Sequence, residues 1–297
     1  LPIGQRFDLT NWCDGLVERI TSQWLCGSPL SLPKSLLNAS NPVTRLGICT
    51  GRPTVSARTF QKLGKYLSAQ QSSENGIIGF LSNSHKGAAV ADRLSFSTEA
   101  ALWSRLAVFV GAFHANLDCS LRHVYFEILS GGTDLQNRLK ADFYSCNADP
   151  NSLPYSTAVC MEALRLTPVV PLILRRVRKS ASLAGRRLSP NMVLAACPYL
   201  THTSDEIFDD ARLFNPDRFN SHTEMDRNAY AYYPFGRGAR ACPAASIAFS
   251  VLGRAIATVA SRVRIVSKMK EENPIVMAVA GHCTTRRDRI FAVCQRW

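Results

Sequence analysis

A cysteine that follows two glycines is the residue of this chain best placed to do chemistry. Cys242 lies in the segment PFGRGARACPA, residues 234–244. Gly236 and Gly238 permit tight turns of positive φ, so the backbone can fold around the sulfur with the glycine N–H groups pointing at it. A predicted helix follows, and the positive end of its dipole favours a thiolate. Arg240 adds a cation that can pair with a carboxylate of a ligand.

An acid and a base three residues apart form a second candidate pair. Glu162 and Arg165 lie on a predicted helix over residues 154–166, where this spacing places both side chains on one face. The pair can therefore form an ion pair within the helix. For this spacing taken alone, a solvated surface pair remains the alternative.

A long apolar helix is predicted from residue 97 to residue 130. Roughly 30 residues would span about 45 Å, and a helix this apolar in its middle must cross the interior of the protein. Its centre carries two polar residues, His114 and Asn116. Alternatively, both are ordinary interior polar residues that form hydrogen bonds with the backbone.

The elements that position these residues are mostly helices, with a minor sheet towards the carboxyl end. Apolar residues at three- and four-residue spacing predict a helix over 8–26, capped by Asp8 and ended by Gly27. Other predicted elements are helices over 60–67, 77–82 and 244–263, strands within 172–199 around a turn at Gly185, an irregular segment over 203–228, and strands within 268–297 joined by Gly281.

Charge and cysteine content restrict the class of partner. Lys and Arg number 35 against 22 Asp and Glu, and the net charge of +13 favours an acidic partner. Nucleic acid, an anionic membrane and an acidic protein all remain open as partners.

The ten cysteines contain no CxxC pair, which argues against a zinc ribbon and predicts reduced, mostly buried thiols. No apolar stretch is long enough to span a bilayer.

Three motifs together resemble the cytochrome P450 superfamily of haem-thiolate monooxygenases. The Cys242 segment matches FxxGxRxC, Glu162 to Arg165 resembles ExxR, and Phe214–Phe219 resembles the PERF segment. The resemblance implies a mainly α fold with minor β, in which the long helix is the distal helix above a proximal cysteine loop. It implies one P450 domain over 1–297, with the amino-terminal part of the family fold outside this chain. The domain divides into helices and loops over 1–96, the distal helix over 97–130, and the haem-binding part over 131–297.

The resemblance also implies roles for individual residues, with Cys242 as the ligand of the haem iron. One departure is Ala244, where the family usually has glycine. The implied cofactor residues are Phe235, Gly236 and Gly238 around the sulfur, Arg240, Arg175 and His202 at the haem propionates, and Ala112 on the distal helix. Glu162, Arg165 and Arg218 are implied to form a buried structural triad.

The distal helix departs from the family pattern at the residues that relay protons. Residues 111–117 align with A-G-x-(D/E)-T-T, with Ala115 at the acid position and Asn116 at the alcohol position. A relay would then use Asn116, His114, water or the substrate, and these three residues are the implied catalytic positions. A similar His-Ala-Asn pattern occurs in the sterol-hydroxylase and prostacyclin-synthase-like branch, including fungal relatives. That branch contains both hydroxylases and enzymes that rearrange peroxides.

The implied function is insertion of one oxygen atom of O2 into an apolar substrate, such as a sterol, a lipid or a secondary metabolite. Electrons would come from an NADPH-cytochrome reductase, an acidic flavoprotein docking at Arg237, Arg240 and Lys268. The full-length protein would lie at the cytosolic face of the endoplasmic reticulum membrane. A peroxide-rearranging isomerase and a non-catalytic remnant are the alternatives. Nucleic-acid binding, suggested by the basic clusters 175–179 and 286–289, lacks interleaved aromatic residues.

Overall fold

The described part of the chain forms two compact units. The amino-terminal unit is residues 8–119, and the carboxyl-terminal unit is residues 120–297 together with residues 1–7. The computed structural model describes residues 3–27, 57–68, 76–78, 99–146, 152–219, 230–267, 278–280, 283–285 and 291–297.

The amino-terminal unit is helical and begins as its sequence predicts. Helix α1 spans Leu9–Cys26, where Asp8 caps the start by accepting a hydrogen bond from the Asn11 N–H at 3.1 Å. Helix α2 spans Ala57–Ser68, slightly longer than predicted. Of the helix predicted over 77–82, residues 79–82 lie outside the described residues. The unit's buried apolar cluster contains Leu25, Cys26, Leu67, Ile78, Trp103, Ala107 and Val110.

The long helix α3 spans Glu99–Ser130, which confirms the prediction of a single helix through this region. The sequence predicted that this helix ends near residue 130, but it did not predict another helix directly after it. A second helix, α4, follows directly over Gly132–Ser145. Gly132 has a φ of +69°, so the chain turns there and resumes helical geometry within one residue. No helix in the described ranges is long and apolar enough to cross a membrane.

Three helices pack together in the carboxyl-terminal unit. These are α4, α5 over Pro154–Leu166 and α7 over Ala245–Arg262, and the last two match the prediction closely. Asp142 of α4 caps α5, because its carboxylate accepts hydrogen bonds from Ser156 N–H at 2.8 Å and Ser156 Oγ at 2.6 Å. The cap fixes the helix that carries Glu162 and Arg165. A short helix, α6, spans Pro198–His202.

Short antiparallel strands complete this unit, in the segments where strands were predicted. The hairpin of β3 (Ala181–Leu183) and β4 (Arg186–Leu188) turns at Gly185, as expected. Along the chain it falls between β2 (Ile173–Arg176) and β5 (Val193–Ala196), which pair with each other. The carboxyl-terminal sheet has the order β1-β9-β6, and β7 pairs with β8 on either side of Gly281. The strands are β1 Arg6–Asp8, β2 Ile173–Arg176, β3 Ala181–Leu183, β4 Arg186–Leu188, β5 Val193–Ala196, β6 Arg264–Val266, β7 Ala278–Ala280, β8 Cys283–Thr285 and β9 Phe291–Gln295.

Candidate functional site

The cysteine loop is closed by hydrogen bonds across its own backbone. Gly236 and Gly238 have φ values of +71° and +76°, which residues with a side chain rarely adopt. The Cys242 N–H donates to the Phe235 carbonyl at 2.9 Å, and the Gly236 N–H donates to the Tyr233 carbonyl at 2.9 Å. Both positive-φ turns were predicted. The expectation that Gly236 donates to the sulfur was wrong, because its N–H is used within the loop.

The sulfur of this loop is accessible, unlike most thiols in the described residues. Cys242 is exposed, whereas Cys13, Cys26, Cys119, Cys160 and Cys294 are buried. Burial raises the pKa of the Cys160 thiol, which keeps it protonated and inert. Buried thiols were expected for most cysteines. Cys242 is therefore distinguished by its exposure as well as by its loop.

The loop packs on helix α7 and lies close to strand β2. The Phe235 ring packs edge-to-face on Phe249 of α7, with ring centroids 5.1 Å apart. A methyl group on Gly236 would lie 3.6 Å from Ile173 Cδ1, so Ile173 faces the loop. Arg175 is two residues further along β2 and shares that strand face, where its side chain is exposed. The structure thus places Arg175 on the same side of β2 as the cysteine loop.

These residues fit a haem in the chemistry of their donor groups. An exposed thiol offers a thiolate ligand for iron, and the exposed guanidinium groups of Arg175 and Arg240 can bind carboxylates. Among the described residues, no group of three or more His, Cys, Asp or Glu could hold a metal ion.

The triad residues are buried beneath this region, with Arg165 at the centre. Arg165 and Glu162 have fully buried side chains and form a double ion pair, with Nε–Oε2 at 2.7 Å and Nη2–Oε1 at 2.8 Å. The remaining N–H groups donate to the backbone carbonyls of His202, Ala211 and Leu213 at 2.5, 2.5 and 3.2 Å. All five N–H groups of this guanidinium are therefore satisfied, which offsets much of the cost of burying it.

Glu162 is satisfied by three different residues. Its Oε1 accepts from Arg218 Nε at 3.2 Å and from the Asn215 N–H at 2.9 Å, in addition to Arg165. The structure thus brings together Glu162, Arg165 and Arg218, which the motifs had singled out. The backbone carbonyls that complete the network carry no signal in the sequence, because any residue type supplies the same carbonyl group.

His202 belongs to this buried network. Its Nε2 accepts from the Tyr233 N–H at 2.9 Å, and its ring stacks on Tyr232 with centroids 5.4 Å apart. Nδ1 is buried and has no hydrogen-bond partner among the residues that the structure describes. Burial, and after it the charge of Arg165, lower the pKa of His202 to about 4. The ring is neutral at pH 7, and its role at a propionate stays a prediction.

A pH-dependent stability follows from this lowered pKa. Between about pH 6.5 and pH 4 the unfolded chain binds a proton at His202 that the folded chain does not, so stability falls as the pH is lowered through this window. A shift from 6.5 to about 4 corresponds to roughly 3 kcal/mol. We expect His202→Gln to flatten this dependence while keeping an acceptor for Tyr233. Urea unfolding of both proteins at a series of pH values measures the difference, and equal slopes would contradict the assignment.

Within the amino-terminal unit, His114 is turned towards helix α1. It is buried, its Nδ1 lies 3.5 Å from Thr21 Oγ1, and its Nε2 lies 3.3 Å from Asp14 Oδ1. Ala112 and Asn116 are four residues apart on α3 and share a face, whereas His114 lies about 200° around the helix from Asn116. The three predicted catalytic residues therefore do not share one face. Asp14 and Thr21, the partners of His114, were not foreseen because they are remote in sequence.

Comparison with known proteins agrees with this arrangement. The family model described as Cytochrome P450 matches residues 137–280, which include Glu162, Arg165, Arg218 and Cys242. A solved structure of a 6-coordinated cytochrome P450 from Thermus thermophilus covers 99% of this chain and 70% of its own, with a TM-score of 0.67 and 21% identity. The fold of the chain is therefore the cytochrome P450 fold, as the motifs predicted.

Curated relatives match part of this chain. Cytochrome P450 Tp9025 of Tanacetum parthenium is 30% identical over 158 residues, 49% of this chain and 32% of the relative. Germacrene A hydroxylase of Helianthus annuus is 38% identical over 97 residues, 32% of this chain and 20% of the relative. The matches thus span less than a third of these relatives. The family model, too, matches only part of this chain, residues 137–280.

Proposed function

We propose that this chain carries the haem-binding part of a monooxygenase in which the Cys242 thiolate is the iron ligand. The observation that carries the proposal is the exposed Cys242 in a glycine-turned loop anchored to helix α7. A bound haem with a thiolate ligand would supply the activation of O2, since the thiolate favours O–O cleavage. The overall reaction consumes O2, two electrons and two protons, and it yields one hydroxylated substrate and one water.

The residues around the loop would bind and orient the haem. Arg240 lies in the loop and Arg175 on the strand face that is turned towards it, so both could pair with propionates through charge-assisted hydrogen bonds. Phe235 is held against Phe249 and would limit the access of water to the sulfur. Gly238 keeps the loop turn that presents Cys242.

On the distal helix, we assign proton transfer to Asn116 rather than to His114. Asn116 shares a helix face with Ala112, and Ala115 lies beside both, whereas His114 is turned to Asp14 and Thr21. An amide both donates and accepts hydrogen bonds, so it can orient a water that carries a proton. In this assignment His114 holds α3 against α1.

The electron donor we propose is an acidic flavoprotein, an NADPH-cytochrome reductase. The sequence has no Asp or Glu between Asp226 and Glu271, the stretch that includes the cysteine loop and α7. Arg237, Arg240, Arg254 and Arg262 are exposed in this stretch, which therefore carries a net positive charge. Complementary charge would steer an acidic protein to it and raise the association rate. Lys268, also predicted as a docking residue, lies outside the described residues.

The substrate class and the setting follow from the family resemblance. We propose an apolar substrate such as a sterol, a lipid or a secondary metabolite, and a full-length protein at the cytosolic face of the endoplasmic reticulum. The His-Ala-Asn pattern supports a place in the sterol-hydroxylase and prostacyclin-synthase-like branch. Because the acid–alcohol pair is absent at Ala115 and Asn116, a peroxide-rearranging haem-thiolate isomerase is the second candidate.

The test is an absorption spectrum followed by turnover. The chain loaded with haem, reduced and treated with carbon monoxide should show the strongly red-shifted Soret band of a thiolate ligand. With a reductase and NADPH, product should then form only while NADPH is consumed. Product from a hydroperoxide without any reductant would favour the isomerase. Absence of the band in the parent chain would contradict both and leave a non-catalytic remnant.

A further inference from the structure

One serine of the carboxyl-terminal unit follows two arginines and precedes a proline. Ser189 ends the run Arg-Arg-Leu-Ser and is followed directly by Pro190. Four serines of the chain have an arginine three residues before them, and these are Ser22, Ser189, Ser221 and Ser267. Of the four, only Ser189 has a second arginine directly after the first, and only Ser189 precedes a proline.

The structure distinguishes Ser189 from two of the other three serines. Ser22 is fully buried. The hydroxyl of Ser267 is already used, because it donates to the Phe291 carbonyl at 2.6 Å. Ser189 and its two arginines are exposed, and their side chains form no hydrogen bond or ion pair with any residue that the structure describes. The hydroxyl and both guanidinium groups are therefore available to a partner.

The backbone on both sides of Ser189 is extended. Strand β4 leads into Ser189, which opens a turn closed by the Met192 N–H donating to the Ser189 carbonyl at 3.2 Å. Pro190 in second place and a φ of +72° at Asn191 identify a type II turn, whose second residue is extended as well. Residues 186–190 thus already have the extended conformation in which protein kinases bind their substrates.

The hairpin that carries the two arginines can separate locally from the rest of the unit. Strands β3 and β4 pair over three residues each, and no further strand in the described part of the chain joins them. A two-stranded hairpin of this size has little stability of its own. It can therefore open to fit an enzyme cleft without unfolding of the helices.

We propose that Ser189 is phosphorylated by a serine kinase that recognises an arginine three residues before the serine and a proline directly after it. The Ser189 hydroxyl oxygen forms a bond to the γ-phosphorus of MgATP while the bond from that phosphorus to ADP breaks, and the hydroxyl proton passes to a carboxylate of the kinase. Exposed guanidinium groups suit the acidic residues of such a kinase, because they form bidentate, charge-assisted hydrogen bonds. The modification does not depend on the proposed haem.

The phosphate would lie among cations of the neighbouring segment. Val177 binds the second half of the turn, since its N–H donates to the Met192 carbonyl at 2.8 Å and its carbonyl accepts from the Asn191 N–H at 2.8 Å. Arg176 and Arg178 flank Val177 and are exposed. A phosphoserine carries a charge of about −1.5 to −2 at pH 7 and pairs strongly with guanidinium groups. These two arginines would therefore hold the phosphorylated turn.

Phosphorylation of the whole chain in vitro tests the proposal. The probe is a purified dual-specificity tyrosine-phosphorylation-regulated kinase, which requires both the arginine and the proline. With radiolabelled ATP the parent should become labelled, and tandem mass spectrometry should locate the phosphate at Ser189. Ser189→Ala should lose nearly all of the label. R186Q/R187Q keeps the serine but loses two charged contacts, so its labelling rate should fall about tenfold or more.

Matched controls distinguish the site from serines and arginines in general. S180A/S182A removes two exposed serines of the same hairpin, and R212Q/R296Q removes two exposed arginines elsewhere. Both should be labelled at the parental rate. An unlabelled parent, a phosphate located at another residue, or an equal loss of label in R212Q/R296Q and R186Q/R187Q would overturn the proposal.

Phosphorus NMR tests the pairing of the phosphate. Neighbouring guanidinium groups favour the dianion, so the second pKa of the phosphoserine should lie below its ordinary value of about 6. In R176Q/R178Q this pKa should return towards the ordinary value. Equal pKa values in the two phosphorylated proteins would show that Arg176 and Arg178 do not bind the phosphate.

Discussion

Replacing Arg165 by leucine is expected to lower the free energy of unfolding by about 3–5 kcal/mol. The loss of stability arises less from the missing attraction of the ion pair than from the buried groups that are left without Arg165 as a hydrogen-bond donor. Glu162 would remain fully buried and charged, with only Arg218 and the Asn215 N–H as hydrogen-bond donors. Three backbone carbonyls would also lose their donor. Urea unfolding followed by far-ultraviolet circular dichroism measures the change.

Arg138 provides a matched control for this prediction. It forms a two-point ion pair with Asp217, as Arg165 does with Glu162, but the two side chains are 42% and 51% exposed. Arg138→Leu therefore removes the same guanidinium group from an ion pair of similar geometry. Because this pair is exposed to solvent, it contributes little to the free energy of unfolding. We expect a loss of about 1 kcal/mol or less, including the contact of Arg138 with the Tyr155 ring.

A double variant distinguishes the buried charge from the lost packing. In Glu162→Gln with Arg165→Leu the buried group is neutral, and its oxygen still accepts from Asn215 and Arg218. We expect the double variant to be more stable than Arg165→Leu alone. Equal stability of the two would show that lost packing dominates. If Arg165→Leu does not fold, the comparison moves to Arg165→Lys, which keeps the charge but offers fewer donors.

Much of this fold could be predicted because its signals are local. Apolar spacing and end signals such as Asp8 and Gly27 define α1, and the turn at Gly185 divides β3 from β4. Helix α4 was missed for the same reason. Two consecutive glycines resemble a helix end, and only the positive φ at Gly132 lets a second helix begin there.

The side chains of the candidate site could be predicted from the sequence. The backbone groups that hydrogen-bond to them could not. Cys242, Glu162 and Arg165 stand out by residue type and spacing, whereas Arg218 was singled out by the resemblance of Phe214–Phe219 to the PERF segment. The carbonyls that bind Arg165 come from the chain near residues 202–213, and their position depends on the fold rather than on residue type. The partners of His114 likewise come from α1, about a hundred residues earlier in the chain.

The triad and the cysteine loop are connected through the aromatic residues before the loop. Arg165 binds the His202 carbonyl, and the His202 ring accepts the N–H of Tyr233. The Tyr233 carbonyl in turn accepts the Gly236 N–H at the first turn of the loop. A continuous path of hydrogen bonds thus runs from the buried ion pair to the backbone around Cys242. We infer that the triad helps to hold the loop in position.

Replacing Cys242 by serine is expected to abolish the red-shifted Soret band of the reduced, carbon-monoxide-treated protein. A hydroxyl is not deprotonated at neutral pH and is a poor ligand for haem iron, so the thiolate signature should disappear completely. The fold should be little affected, because Cys242 is exposed and only its backbone N–H bonds within the loop. We expect the free energy of unfolding to change by about 0.5 kcal/mol or less.

The control for Cys242→Ser is Cys197→Ser, which changes a half-buried thiol outside the loop and should leave the band intact. A band that survives in Cys242→Ser would show that another residue binds the iron, and loss of the band in Cys197→Ser would move the ligand to that position. The two substitutions remove the same atom from two partly accessible sites. A difference between their spectra therefore reports the position of the sulfur in the glycine-turned loop before helix α7.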